Sequence, residues 1–123
     1  MSLLNKRAKG RDGETRAEEY LVSNGYNIIE KNYRNRFGEI DIIARDGKTL
    51  VFIEVKTRNT NSHGLPVDAV DAKKQGRIGR VALSYITAKK INNIPCRFDV
   101  LSINDNRIEL FTNAFELPEG QIW

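Results

Sequence analysis

The sequence of 123 residues predicts a single α/β domain in which a helix and three strands precede a second helix and two final strands. Three observations favour this fold class. Two runs rich in isoleucine and valine flank a turn signal at residues 45–48, as in a β-hairpin. Apolar residues recur at helical spacing within residues 67–90, and two strand-like runs follow at residues 97–103 and 107–111. A chain of this length has room for one core, so a second domain is not expected.

The first helix is predicted over residues 13–23, after a basic segment of residues 1–12 that we expect to be a flexible arm. The apolar stripe of this helix consists of Ala17, Tyr20 and Leu21. Glu14 falls on the same side of the helix as this stripe and is therefore expected to point inward. The alternative is an N-terminal glutamate that the helix dipole favours.

Basic residues border the hairpin on both sides. A first strand is predicted over residues 26–33, and Arg34 and Arg36 lie in the connection between this strand and the hairpin. Arg58 follows the hairpin at the start of a polar, turn-rich loop. These arginines are candidate phosphate contacts, and exposed loop charges are the alternative interpretation.

Charged residues interrupt the hairpin at positions where core residues are expected. Asp41 lies in its first arm, and Glu54 and Lys56 lie in its second arm. The register depends on the turn type: one possibility is a two-residue turn at residues 46–47, and a slip by one residue would separate Asp41 from the other two charges. This turn would place Asp41 opposite Phe52 and diagonal to Glu54. Because side chains alternate along a strand, Asp41, Glu54 and Lys56 then share one face.

Two carboxylates that converge on one face form a hard oxygen site of the kind that Mg²⁺ and Mn²⁺ prefer. The same pairing sets Glu39 opposite Glu54 and adds a third acid nearby. A neighbouring lysine can hold a phosphate oxygen or orient an attacking water. Together these groups indicate metal-assisted hydrolysis of a phosphodiester bond. The alternative is a salt bridge from Lys56 to Glu54 or Asp41 on a solvated sheet face.

The spacing of these charged residues resembles the D…(D/E)-x-K signature of the restriction-endonuclease-like nucleases, the PD-(D/E)XK superfamily. More narrowly, the chain resembles the YraN family of uncharacterised bacterial proteins, which is similar in pattern to archaeal Holliday-junction resolvases. The strings that carry this resemblance are GEID at residues 38–41, FIEVKTR at residues 52–58 and RFDV at residues 97–100. The resemblance implies a restriction-endonuclease-like core, with a mixed five-stranded sheet flanked by helices.

The resemblance also implies roles for individual residues. Asp41 and Glu54 would bind the metal, with the main-chain carbonyl of Val55 as a third ligand. Lys56 would be the catalytic lysine. Glu14 would supply a further acid from the first helix.

The second helix carries a lysine on its core-facing side. The apolar stripe of this helix consists of Val70, Ile78, Val81, Ala82 and Tyr85. Lys74 lies between Val70 and Ile78 on this stripe. Either its side chain extends to solvent, or its ammonium reaches the edge of the site. Because the resembling families carry lysine or glutamine here, Lys74 and Gln75 are candidate nucleic-acid contacts.

Composition excludes several classes of protein. Lysines and arginines outnumber the acids 20 to 16, and a net charge of +4 permits nucleic-acid binding. Cys96 is the only cysteine and His63 the only histidine, which argues against an internal disulfide, a zinc site and a Ser-His-Asp triad. The start lacks the apolar region of a signal peptide, and no apolar run could cross a membrane, so we expect a cytoplasmic protein.

We therefore expect residues 13–123 to form a nuclease-like domain that hydrolyses phosphodiester bonds in DNA, branched or flapped DNA included, with Mg²⁺ or Mn²⁺ as cofactor. The alternative is a nucleic-acid-binding or partner-binding protein that keeps the nuclease scaffold without turnover. Hydrolysis of RNA is a third interpretation. A junction resolvase needs two active sites at a fixed separation, so that interpretation predicts a homodimer.

Overall fold

The computed structural model describes residues 3–57, 70–104 and 107–116, with side chains described from residue 13 onward. The helices are α1 (Leu3–Ser23) and α2 (Ala72–Ala88). The strands are β1 (Asn27–Asn35), β2 (Gly38–Asp46), β3 (Thr49–Thr57), β4 (Cys96–Asn104) and β5 (Arg107–Phe111). The predicted order of elements is confirmed, and β5 has its predicted bounds.

The five strands form one mixed sheet in the order β1-β2-β3-β4-β5. The first three strands and the last pair are antiparallel, whereas β3 and β4 are parallel. Parallel neighbours cannot be joined by a tight turn, and α2 lies in the crossover between them. The predicted mixed sheet flanked by helices is therefore confirmed.

Each face of the sheet packs against one helix. On β3, Leu50 and Phe52 belong to the core on the α2 side, while Val51 and Ile53 belong to the core on the α1 side. Both sets are buried, so the centre of β3 is apolar on both faces. This alternation is the one that the sequence predicts for the second arm of the hairpin.

Helix α1 begins at Leu3 and not near residue 13, so the predicted start of the first helix is wrong. The early residues are mostly leucine, alanine, lysine and arginine, which have high helix propensity and extend the helix backward. The predicted packing face is confirmed, because Ala17 and Leu21 are fully buried against the sheet.

Helix α2 begins at Ala72, after an N-cap at Asp71, rather than at residue 67. The Asp71 carboxylate accepts a hydrogen bond from the Lys74 N–H at 2.8 Å, which satisfies a donor that the helix leaves free. Residues 67–69 lie outside the described part of the chain. The predicted apolar stripe of α2 is buried as expected. Neither described helix combines the length and the apolar character that crossing a membrane requires.

The register of the β2–β3 hairpin differs from the predicted one. Asp46 pairs with Thr49 and Phe52 pairs with Ile43, so the turn is at residues 47–48. The predicted pairings of Asp41 with Phe52 and of Glu39 with Glu54 are therefore wrong. Gly47 has a φ of 62° at the first central position of the turn, where a type II′ turn requires a positive φ. The shift is even, so the residues of β2 and β3 that pair with each other keep their predicted faces.

A buried ionic network joins β2 and β4 to the residue that precedes β1 on the α1 side of the sheet. The Asp99 carboxylate has 0% exposure and accepts hydrogen bonds from the Tyr26 hydroxyl at 3.1 Å and from Arg97 at 2.9 Å. It also accepts the Asn113 N–H at 2.9 Å. Arg97 reaches the Asp46 carboxylate at 3.1 Å. Every oxygen of Asp99 is thus paired, which assigns it a structural role.

We predict that Asp99→Asn lowers the free energy of unfolding by ~3 kcal/mol, because it leaves the partly buried Arg97 guanidinium without its main anionic partner. Urea unfolding measures this change. Glu109→Gln is the matched control, since Glu109 pairs with Arg107 on the surface and should contribute less than about 1 kcal/mol. Equal losses from the two substitutions would contradict the structural role of the network.

Candidate functional site

Strand β2 changes face at Asp41. Ile42 packs in the core on the α1 side, whereas Ile40 packs in the core on the α2 side. Residues two apart on a regular strand point to the same face, so the pleat is interrupted at Asp41.

The neighbouring strand changes face at the same level. In β1, Lys31 binds Glu18 of α1 at 3.1 Å, while the Tyr33 ring packs edge-on against Tyr85 of α2. Asn32 lies between them with a φ of 53°, a conformation that asparagine tolerates better than most residues. The apolar pattern of β1 does not predict this irregularity, and the asparagine inside the strand is its one signal in the sequence.

The β2–β3 ladder ends where β2 changes face. Its last pair is Ile42 with Ile53, and beyond it the Asp41 carboxylate accepts the Val55 N–H at 2.8 Å. A side-chain oxygen therefore takes the place of a main-chain acceptor. As a consequence, Asp41 lies at the edge of two clefts, one on each side of the sheet.

The cleft on the α2 side, named the α2 cleft here, contains the predicted carboxylate pair. It has a volume of about 350 Å³ and is lined by the acids Glu39, Asp41 and Glu54 and by the basic residues Lys74 and Arg77. Because one water occupies roughly 30 Å³, this space suffices for a hydrated cation beside a phosphate group.

The two carboxylates of this cleft interact directly. Burial and next the negative charge of Glu54 raise the pKa of Asp41 from its ordinary 3.8 to about 7. A hydrogen bond with Glu54 adds to the increase, since the protonated form of Asp41 can donate it, whereas the hydrogen bond from the Val55 N–H opposes it. Two acids whose charges repel in a partly buried site form a place that favours a cation.

A lysine already supplies a positive charge there. The Lys74 ammonium lies 2.6 Å from Glu54 Oε1. Of the two arrangements expected for Lys74, the structure therefore has the one in which the ammonium reaches the carboxylates. Gln75, predicted alongside it, instead donates a hydrogen bond to the Val70 carbonyl at 2.8 Å.

The cleft on the α1 side contains Glu14. Its volume is about 180 Å³, and its lining includes Glu14, Lys31, Asn32, Asp41 and Thr57. Glu14 is exposed, although we expected it to point inward. In the described parts of the chain, no three acidic, histidine or cysteine side chains converge closely enough to hold a metal ion. Glu14 therefore borders Asp41 but does not form a three-carboxylate cluster with Asp41 and Glu54.

The remaining predicted residues have varied surroundings. Lys56 is half-buried two residues beyond Glu54, and among the described residues it makes no ion pair with either carboxylate. Arg34 pairs with Glu39 at 2.6 Å, and the Arg36 guanidinium lies 4.8 Å from the centre of the Phe37 ring. Arg58 and His63 lie outside the described residues.

We predict that the free energy of unfolding falls as the pH rises from about 4 to about 7, because Asp41 binds its proton more tightly in the folded protein than in the unfolded chain. This contribution is complete below the unfolded pKa and lost above the folded one. Asp41→Asn should flatten the fall by about 2 kcal/mol, measured by urea unfolding across this range. Glu109→Gln, at an exposed carboxylate, should follow the wild type. An equally steep fall in Asp41→Asn would contradict the burial of this carboxyl group.

Comparison with known proteins identifies a family and several relatives whose matched segments include the whole candidate site. Residues 13–103 match the profile of a family described as "Uncharacterised protein family UPF0102". A UPF0102 protein of Syntrophus aciditrophicus is 49% identical over 116 residues, which is 91% of each chain. One from Persephonella marina is 44% identical over 109 residues, covering 89% of this chain and 94% of the relative. The chain therefore belongs to the UPF0102 family, which is the YraN family that its sequence strings resemble.

Proposed function

We propose that this protein is a nuclease that uses a divalent cation to hydrolyse phosphodiester bonds in DNA, on a restriction-endonuclease-like fold. One observation carries the proposal. Asp41 and Glu54 interact at a break in the sheet, in a cleft that also contains Lys74 and Arg77. Three antiparallel strands followed by a helical crossover and a parallel fourth strand support the choice of fold.

The donor set of the α2 cleft fits Mg²⁺ or Mn²⁺. Asp41 and Glu54 provide carboxylate oxygens, the ligands that these hard cations prefer. The Lys74 ammonium on Glu54 supports this assignment, since it is itself a cation at this place. We assign Asp41, Glu54 and the Val55 carbonyl as ligands, with Glu14 as a further acid from the α1 side. When bound, the metal would activate water and neutralise charge that develops on the phosphate.

The surrounding basic residues would bind and orient the substrate. Lys56 follows Glu54 on the same face of β3, so we assign it to hold a phosphate oxygen or to orient the attacking water. Arg77 lines the α2 cleft and would contact a neighbouring phosphate. The predicted contacts Arg34, Arg36 and Arg58 would extend this basic surface away from the reacting group. The net charge of +4 supports association with a polyanion.

The substrate class is DNA in this proposal, with branched and flapped forms included. A cytoplasmic location gives access to chromosomal DNA in a bacterium. If the substrate is a four-way junction, the active unit is a homodimer that holds two sites at a fixed separation.

Cleavage of labelled DNA tests the proposed activity. Linear, flapped and four-way DNA and single-stranded RNA are incubated with protein in Mg²⁺, Mn²⁺ or EDTA. We expect metal-dependent cutting of DNA by the wild type, and a loss of roughly a hundredfold or more in Asp41→Asn and Lys56→Met. Lys48→Met is the matched control, because Lys48 is an exposed lysine in the turn of the same hairpin.

Three outcomes would contradict the proposal. Binding of DNA without cutting in any metal, unchanged by Asp41→Asn, would favour a nucleic-acid-binding protein on a nuclease scaffold. Cutting confined to RNA would replace DNA as the substrate while keeping the assigned residues. Cutting that survives both Asp41→Asn and Lys56→Met would place the active site elsewhere.

A further inference from the structure

Lys74 occupies a place that the proposed reaction needs for a metal. Its ammonium lies 2.6 Å from Glu54 Oε1, and the Lys74 and Glu54 side chains are 32% and 12% exposed. Most lysine ion pairs on protein surfaces are weak because both groups stay in water. Here the carboxylate is largely removed from water and shares the α2 cleft with Asp41, so the ammonium neutralises a carboxylate that would otherwise be buried without a positive partner.

The main chain at Lys74 is held more firmly than its side chain. The Lys74 N–H donates to Asp71 at the start of α2, and Gln75 holds the Val70 carbonyl of the same turn. The lysine side chain beyond this anchored turn has four flexible methylene groups. The ammonium can therefore leave Glu54 while the helix stays in place.

We propose that Lys74 is an exchangeable counter-ion of the metal site. Its ammonium neutralises Glu54 in the metal-free protein, a divalent cation replaces it on that carboxylate, and the released ammonium binds a phosphate group of the substrate. The inference rests on the proposed function, because it takes Glu54 as a metal ligand.

Electrostatics gives the exchange its direction. An ammonium and a divalent cation repel each other, so they do not share one carboxylate oxygen at close range. Once displaced, the ammonium remains in the α2 cleft, where Arg77 supplies a second positive charge. Two neighbouring positive charges favour an anion, and the substrate phosphate is the anion that the proposed reaction brings.

The exchange has two measurable consequences. Lys74 lowers the affinity for the divalent cation, because it competes for Glu54. Metal binding strengthens phosphate binding, because the metal frees the Lys74 ammonium to bind phosphate. By thermodynamic linkage, phosphate binding strengthens metal binding by the same factor.

Titration of Mn²⁺ into the protein, monitored by calorimetry, tests the competition without any turnover. We expect Lys74→Met to bind Mn²⁺ about fivefold or more tightly than the wild type. Lys74→Arg keeps the competing charge and should remain within twofold or so of the wild type. Lys73→Met is the matched control, since Lys73 is an exposed neighbour on the same helix, and it should bind as the wild type does.

The outcomes separate this inference from the proposed function. Equal or weaker Mn²⁺ binding by Lys74→Met, in a protein that unfolds cooperatively, would overturn the exchange and leave the nuclease proposal standing. No Mn²⁺ binding by the wild type or by any variant would overturn the metal site itself and both proposals with it.

A second measurement tests where the ammonium goes. The affinity for a short DNA duplex is measured by fluorescence anisotropy with and without Ca²⁺, a hard cation that also takes oxygen ligands, after a gel has verified that the duplex stays uncut. We expect Ca²⁺ to strengthen binding more in the wild type than in Lys74→Met, because only the wild type gains a phosphate contact. An equal gain in the two proteins would overturn the second half of the exchange.

Discussion

The hydrogen bond from the Val55 N–H to the Asp41 carboxylate is the contact on which the candidate site depends. A β-ladder that ends inside a sheet leaves main-chain donors without partners, and a buried donor without a partner costs free energy. The carboxylate satisfies one such donor, so β2 can separate from β3 on the N-terminal side of Ile42. The separation of the two strands is what brings a carboxylate to the edge of two clefts at once. The candidate site therefore lies where strands β2 and β3 stop pairing with each other.

The carboxylates of Asp99 and Asp41 have opposite surroundings. Asp99 is completely buried, yet hydrogen bonds from Tyr26, Arg97 and Asn113 satisfy it, and it contributes to the fold. Asp41 receives one main-chain N–H and faces a second acid, so its charged form is disfavoured in the absence of a further cation. Groups held in such unfavourable surroundings cluster at functional sites, because the missing partner is a ligand. This contrast is the physical basis for placing function at Asp41 rather than at Asp99.

Much of this arrangement follows from local patterns in the sequence. Alternation along β3 predicts that Phe52 and Ile53 lie on opposite faces, and an even error in register cannot change that result. The register itself was not predictable, because it depends on which position of the turn has a positive φ. Gly47, with a positive φ, is the first central residue of the observed turn, whereas the expected turn had it as the second. The change of face at Asp41 was also out of reach, although Asn32 on the neighbouring strand carries a signal of it. It arises from packing against two helices on opposite sides of the sheet, which no short window of sequence contains.

The central claim is that the Asp41–Glu54 pair is a divalent-cation site, and a crystal structure in Mn²⁺ tests it most directly. Anomalous scattering at a manganese-sensitive wavelength locates the ion independently of any assumption about its ligands. The account predicts an anomalous peak in contact with Asp41, Glu54 and the Val55 carbonyl, with the Lys74 ammonium no longer on Glu54. A structure in which Lys74 still binds Glu54 and no manganese lies beside the two carboxylates would contradict it.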